Sequence, residues 1–471
     1  MEASSSRGRS RGEAGAVKRR RAAAAGASAG SGSTAQSLND DILRSVFSRL
    51  DDHFDLARCS AVCNSWNRII ETAHLMRDLY YKRNPRARGS NANISMKSYF
   101  EELAMDEHAS SLSRGPGDVY QWIGHPMRAN LCRMKSGSIL TGVGDKILRL
   151  WSAESCKFMN EYNVPNAKTL VDFDFDENKI VGLTSSQLCI WRRSEPRSIF
   201  QSGGASFNHG LCMSYADPEV VIGCEDGRAF VYDMYSRSCS SIYRLHSSPV
   251  TCLTISDDQL IVGGSTFGNI AIADQTSGQK LGVLKSAYAP LVIRCLSFST
   301  NSHMIFAGSS AGYAHCWDLR IHGYTVGNAI LEINIAAVNE RVKLHVLRTF
   351  RPLWETRVSP NVIYSAHHLP GDTATLAVGG IDGVLRLICQ STGETIRSFV
   401  VDAERPAELA SRSRQQIEKK RIRQVPPDAP LDNIPRRLRP QITSLSVGMK
   451  KMVTTHGENF IRVWKFRPKS S

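Results

Sequence analysis

A repeat restricts what this chain can fold into more than any other feature. Seven segments share one layout: an apolar strand, a small residue, a polar or glycine turn, a second apolar strand, and often a closing Trp or Asp. They run Leu140 to Trp151, Ile180 to Trp191, Val220 to Asp233, Leu260 to Asp274, Ile305 to Asp318, Leu376 to Cys389 and Met452 to Trp464. In the first five the closing positions Trp151, Trp191, Tyr232, Ala273 and Trp317 are 40, 41, 41 and 44 residues apart. A period of about 40–45 residues corresponds to units of four short strands, each of which buries its apolar face only by stacking on neighbours.

Within a unit the residues alternate with the period of a strand, as in Ile147-Leu148-Arg149-Leu150-Trp151 and Phe460-Ile461-Arg462-Val463-Trp464. Asp226-Gly227, Gly268-Asn269 and Asp382-Gly383 stand where two-residue hairpins need positive φ, which glycine adopts without steric cost. Val119 to Ile123 precedes the first full repeat as an orphan strand, and Ile461 to Phe466 has no outer neighbour in sequence. Pairing the two closes the array into a ring and hides both edges. The expected fold is mainly β, a seven-bladed propeller over 118–466 with insertions at about 320–360 and 402–440 and a short tail at 467–471.

Ahead of the ring the period changes. Residues 1–36 hold seven Arg/Lys against Glu2 and Glu13 and almost no large apolar side chain, so a disordered basic tail is expected. Lys18–Arg21 followed by Ala22–Ala25 has the order of a signal peptide without its Leu-type apolar segment; a Ser/Arg-rich plastid transit peptide is the alternative. From there Leu38, Ile42, Val46 and Leu50 step by four, with Leu43 and Phe47 widening the stripe, and Asn39 and Asp40 hold the cap and first-turn places. Leu56, Cys59, Val62, Cys63, Trp66, Ile69 and Ile70 repeat the spacing. Two or three short helices over 37–80 follow, then a linker over 81–117 with a connecting helix from Met96 to Leu112. So small a module has a marginal core and leaves apolar surface for a partner to cover.

The repeat resembles WD repeats across 118–466, and one unit carries that family's buried relay at matching positions: His125, Thr141, Asp145 and Trp151. Imidazole, hydroxyl, carboxylate and indole N–H there satisfy one another inside a sheet that could bury none of them singly, so the role implied is structural. His209 and Asp226 make a partial copy in the third unit, Glu458 replaces the acid in the seventh, and Phe267 and Ala273 mark its loss in the fourth.

The helical stretch resembles an F-box, through Leu38-Asn39-Asp40-Asp41-Ile42-Leu43 to Leu50, Asp55-Leu56-Ala57-Arg58 and Val62-Cys63-Asn64-Ser65-Trp66. Asn39 stands where F-boxes usually have proline. The resemblance implies that Leu38, Ile42, Leu43, Val46, Leu50, Leu56, Val62 and Trp66 meet a Skp-type adaptor of a cullin ligase, and that the propeller holds the protein to be ubiquitinated. A plain helical cap on the ring is the other reading of the same residues.

Two groups of cations are candidates to bind that protein. Arg149, Arg386 and Arg462 sit at equivalent places and could ring the channel and clamp an anionic peptide, with packing as the alternative. Lys419, Lys420, Arg421 and Arg423 of the second insertion could meet an acidic or phosphorylated segment on the face where partners dock; a solvated loop or nuclear import signal is the other reading.

The net charge of +15 lies largely in the tail and in 402–440, where ten Arg/Lys face six acids. Few aromatic residues accompany those cations, which counts against nucleic acid. No run of 18 apolar residues suggests a membrane helix. The twelve cysteines show no CxxC pair and no metal-ligand spacing, so they read as reduced core residues of an intracellular protein, with no metal. HExxH, GxSxG and GxxxxGK[ST] are missing, so no catalytic residue and no cofactor is expected. The expectation is a non-enzymatic adaptor in the nucleus or cytoplasm. The alternatives are a WD-repeat scaffold in a nuclear or RNA-processing complex, or a receptor for a different cullin ligase through Trp317-Asp318-Leu319-Arg320, which resembles a WDxR element.

Overall fold

The computed structural model describes residues 39–85, 95–142, 146–165, 169–195, 198–201, 207, 209–286, 291–320, 330–338, 341–402, 417–426 and 429–468. The basic tail, Leu38 and Asp145 lie outside them. The chain divides into two compact units, 1–100 and 101–471.

Among its described residues the first unit holds four short helices where the spacing suggests two or three: α1 (Asp40–Phe47), α2 (His53–Ser60), α3 (Asn64–Thr72) and α4 (Leu75–Arg83). Asp52 caps α2, its carboxylate accepting from the Phe54 N–H at 2.8 Å. Asn39 stands at the N-cap of α1, yet its side chain makes no capping bond; its carbonyl accepts from Ile42 and Leu43 instead. α4 parts from α3 at His74, which takes a left-handed conformation, φ 52°, without the glycine or proline that would announce a break. Leu43, Phe47, Leu56, Ile69, Ile70, Leu75, Met76 and Leu79 are buried. A fifth helix, α5 (Met96–Arg114), follows where a connecting helix is expected.

In the second unit seven strands stand side by side around a ring: Leu131–Lys135, Leu170–Phe175, Gly210–Ala216, Val250–Ile255, Ile293–Ser299, Ile363–His367 and Ile442–Gly448. Each neighbours the next, and the last neighbours the first. Each also stands at the end of a sheet, from which antiparallel neighbours run outward. Side chains of these first strands serve the backbone of the adjoining one. Ser444 Oγ accepts from the Cys132 N–H at 3.3 Å, Ser446 Oγ from Met134 at 3.0 Å, Ser365 Oγ from Leu445 at 3.1 Å and Asp172 from Met213 at 3.0 Å. These four polar side chains are thereby consumed in closing the ring.

The orphan strand closes as expected. Gly117–Ile123 pairs antiparallel with Phe460–Phe466, Val119 opposite Trp464. Its far side is also occupied, because Glu418–Gln424 pairs with it, Lys419 opposite Tyr120, and reaches back to Thr395–Val401 through Ile422 opposite Val401. The 402–440 insertion is therefore partly a strand that welds two four-stranded units into one nine-stranded sheet, so the described residues form six sheets where seven separate blades are expected. Ile422 tucks against the cluster of Leu385, Phe399, Trp464 and Phe466, which explains why so basic a segment is held. In the 320–360 insertion, strands Ile330–Val338 and Arg341–Phe350 form a hairpin whose residues 348–350 run parallel beside 282–284.

The turn glycines work differently from the two-residue hairpins expected. Gly227, Gly268 and Gly383 each close a four-residue turn from its last place, donating to Cys224, Ser265 and Gly380 with φ of +82°, +75° and +73°. At Gly383 a Cβ would run into the Arg439 carbonyl.

Burial in this ring has a consequence for pH. His246 and His368 are buried, and loss of hydration pushes both down to about 4; His456 is driven well below its ordinary value for the same reason. The unfolded chain takes up protons near pH 6.5 that these sites refuse. Their contribution is complete above about pH 6.5 and is lost as pH falls toward 4, at about 1.4 kcal/mol per pH unit for each. Urea midpoints should decline steadily from pH 7 to 4.5; a flat profile contradicts this.

Candidate docking surface

The helical unit exposes a patch its own core cannot cover. On α1, Leu43 and Phe47 turn inward, and Phe47 meets Trp66 of α3 edge to face at 5.1 Å. Ile42 and Val46, one turn apart on the same helix, are each 51% exposed, and Val62, just before α3, is 60% exposed. Three large aliphatic side chains left to solvent on so small a body cost about 1.5–3 kcal/mol each relative to burial, which a partner surface can recover.

The ring's candidates fall elsewhere. Arg149, Arg386 and Arg462 are equivalent, but they lie on the third strand of their sheets and do not line the channel, whose walls are the first strands. Arg386 is buried, with Nη2 2.6 Å from Asp382 Oδ2, and Asp382 also accepts from Ser359 Oγ at 2.9 Å and the Val384 N–H at 3.1 Å. Arg462 is buried too; its Nε donates to Gln121 Oε1 at 2.9 Å and its guanidinium lies over the Phe460 ring. Arg149 is half-buried, donating to the Gly124 carbonyl at 3.2 Å and lying 3.4 Å from Glu161. All three are held by neighbouring groups of the ring.

Three of the four relay residues, His125, Thr141 and Trp151, are brought together, and Asp145 lies outside the described residues. Trp151 Nε1 donates to Thr141 Oγ1 at 2.9 Å, and His125 Nε2 lies 2.9 Å from the same oxygen. His125 Nδ1 meets Arg149 Nη1 at 2.9 Å. A guanidinium only donates, so Nδ1 accepts and the proton sits on Nε2. A second relay escaped the sequence reading: Trp464 Nε1 donates to Thr454 Oγ1 at 3.0 Å, which lies 3.1 Å from His456 Nε2. Here Nδ1 faces the Pro440 and Gln441 carbonyls, so the opposite tautomer holds. The shared ten-residue step from Thr to Trp was the signal available. Of the residues of the partial copies, His209, Asp226 and Glu458 are exposed, Asp226 accepts from the Arg228 N–H, and the relay of the seventh unit is made by Thr454, His456 and Trp464 instead.

Of the insertion's cations, Lys419 is 3.0 Å from Asp118 and Lys420 3.3 Å from Glu418, while Arg421 and Arg423 are exposed. They stand on the bridging strand at the outer edge of the ring rather than over the channel. In the Trp317–Arg320 ending, Arg320 binds its own neighbour, Nη2 lying 2.8 Å from Asp318. All twelve cysteines are free, eight of them buried, in keeping with their reading as core residues.

An F-box-like family model matches residues 37–82, and a WD domain, G-beta repeat model matches 278–318. An F-box/WD-40 repeat-containing protein of Arabidopsis thaliana is 40% identical over 462 residues, 92% of this chain and 95% of that protein. The chain belongs to the F-box/WD-40 repeat family. Two likenesses are shorter: a mouse NACHT domain- and WD repeat-containing protein is 29% identical over 134 residues, 27% of this chain and 8% of that one. A Caenorhabditis elegans retinoblastoma-binding protein homolog is 35% identical over 63 residues, 13% of this chain and 14% of its own.

Within the F-box the eight residues proposed to meet an adaptor divide. Leu43 and Leu56 are buried in its core and are not surface; Leu50 and Trp66 are half-buried. Ile42, Val46 and Val62 are the exposed ones, and Leu38 lies outside the described residues. Apolar spacing marks a helix's wet and dry sides alike when the wet side is also apolar, which is why the two were merged.

Proposed function

We propose that this chain is the substrate-receiving subunit of a cullin-type ubiquitin ligase. Its F-box docks on a Skp-type adaptor through Ile42, Val46 and Val62, and the WD-repeat ring holds the protein to be modified. The observation that carries this is the exposed aliphatic patch within the segment matched by the F-box-like model. An adaptor of this kind contributes proximity: it raises the local concentration of target lysines near the charged enzyme, and the chemistry belongs to other subunits. The reading assigns it to the nucleus or cytoplasm, and the exposed Arg421 and Arg423 favour an acidic target.

Co-purification tests it. Ile42→Asp with Val46→Asp places two carboxylates on the patch without touching the core, and should reduce recovery of Skp adaptor and cullin by about a hundredfold, with the helices still folded by circular dichroism. Undiminished recovery refutes the assignment.

A further inference from the structure

Six of the seven first strands slip register at the same place, leaving Val171, Leu211, Thr251, Arg294, Tyr364 and Thr443 unmatched across the ladder. In five of the six both flanking residues are buried, yet none of the six bulge residues is, and Leu211 and Arg294 are exposed. A bulge turns one side chain out of the alternation, and here it does so at the same end of all six strands. Because these strands stand side by side around the ring, the bulge residues gather at one mouth of the channel.

The composition of that mouth is specific. Thr251 spends its hydroxyl on the Ile293 carbonyl at 2.5 Å, and Thr443 pairs with Thr455 at 3.1 Å. Val171, Leu211 and Tyr364 remain, with a single cation, Arg294, which has no ion-pair partner among the described residues. In an antiparallel sheet the turn between the second and third strands falls at the end where the first strand begins. Phe267 and Ile381 occupy such turns and are 60% and 41% exposed. Over the second to sixth units an aliphatic and aromatic arc is thus broken by one unpaired guanidinium among the described residues, since Arg228 at the same end is paired with Asp226 and Lys146 stands in the turn of the first unit. Glu225 and Asp226, exposed in a turn at the same end, would repel a polyanion such as RNA.

We propose that this mouth of the ring docks an apolar protein segment that carries one Asp or Glu side chain against Arg294. A lone guanidinium among apolar neighbours suits a monoanionic carboxylate, whereas a phosphate dianion calls for several cations. The proposal rests on the ring being the target-holding part of the adaptor, and names the class of target.

The test uses the full chain and three pools of synthetic 12-residue peptides, each with Leu or Phe on both sides of a fixed central Glu, Lys or phosphoserine, read by fluorescence anisotropy. The Glu pool should bind best. Phe267→Ala and Leu211→Ala should each weaken it about tenfold, and Arg294→Glu should move the preference to the Lys pool. Thermal unfolding should not change, since all three side chains are exposed. Equal binding of all pools, a preference for phosphoserine, or unaltered binding by the variants overturns the proposal. Recovery of the Skp adaptor is measured on the same variants: its loss from the wild type with peptide binding intact counts against the ligase reading alone, and the reverse pattern against the mouth alone.

Discussion

Asp382→Ala lowers the stability of the ring unit by about 3–5 kcal/mol, more than any surface change would. Asp382 is 3% exposed and holds three donors at once: the Arg386 guanidinium, the Ser359 hydroxyl and the Val384 amide. Removing the carboxylate leaves a buried cation without its counter-charge, and that uncompensated charge supplies most of the cost. The double variant Asp382→Ala with Arg386→Met should recover part of the loss, because no charge is then stranded. Urea unfolding of the three proteins decides it: a loss below about 1 kcal/mol in the single variant, or a double variant weaker than the single, means that the pair is not held as described.

Phe47→Ala should unfold the helical unit outright. The side chain is 3% exposed and is braced edge-on by Trp66. Emptying such a site costs about 3–5 kcal/mol, comparable with the whole stability of a body this small. Adaptor recovery should fall to background, the helical unit should become open to limited proteolysis, and the ring should melt as before. The comparison with Ile42→Asp and Val46→Asp separates two ways of losing the adaptor, since those substitutions spoil the surface and spare the core. A Phe47→Ala protein that still binds the adaptor and resists protease would show that the packing described is dispensable.

Most of the architecture was legible because it repeats. The interval from Trp151 to Trp191 to Tyr232 is a property of many residues at once, and one lost member, as at Ala273, does not hide it. The partner strand of Gly117–Ile123 was legible for a related reason, since a closed ring leaves one place for it. The bridging strand was not. Glu-Lys-Lys-Arg-Ile-Arg-Gln has the composition of a solvated loop, and only the half-buried Ile422 among the cations hinted at a face to bury. The buried arginines misled for a different reason. Arg386 and Arg462 occupy positions where charge is expected at a surface, and nothing local reveals that Asp382 or Gln121 waits to receive them. In the F-box, period alone placed Leu43 and Ile42 in one stripe, though adjacent helical positions lie about 100° apart and here only the first is covered.

The welding of Gly117–Ile123 between two late strands bears on how the protein is made. Its partners Glu418–Gln424 and Phe460–Phe466 follow it by about 300–340 residues, which at ribosomal speeds of about 5–20 residues per second is a delay of tens of seconds. For that interval the nascent chain carries an unsealed strand whose amides have nothing to meet. Truncation between the two points yields an open stack with raw edges at both ends, a species for chaperones and proteases to handle, and not a smaller ring.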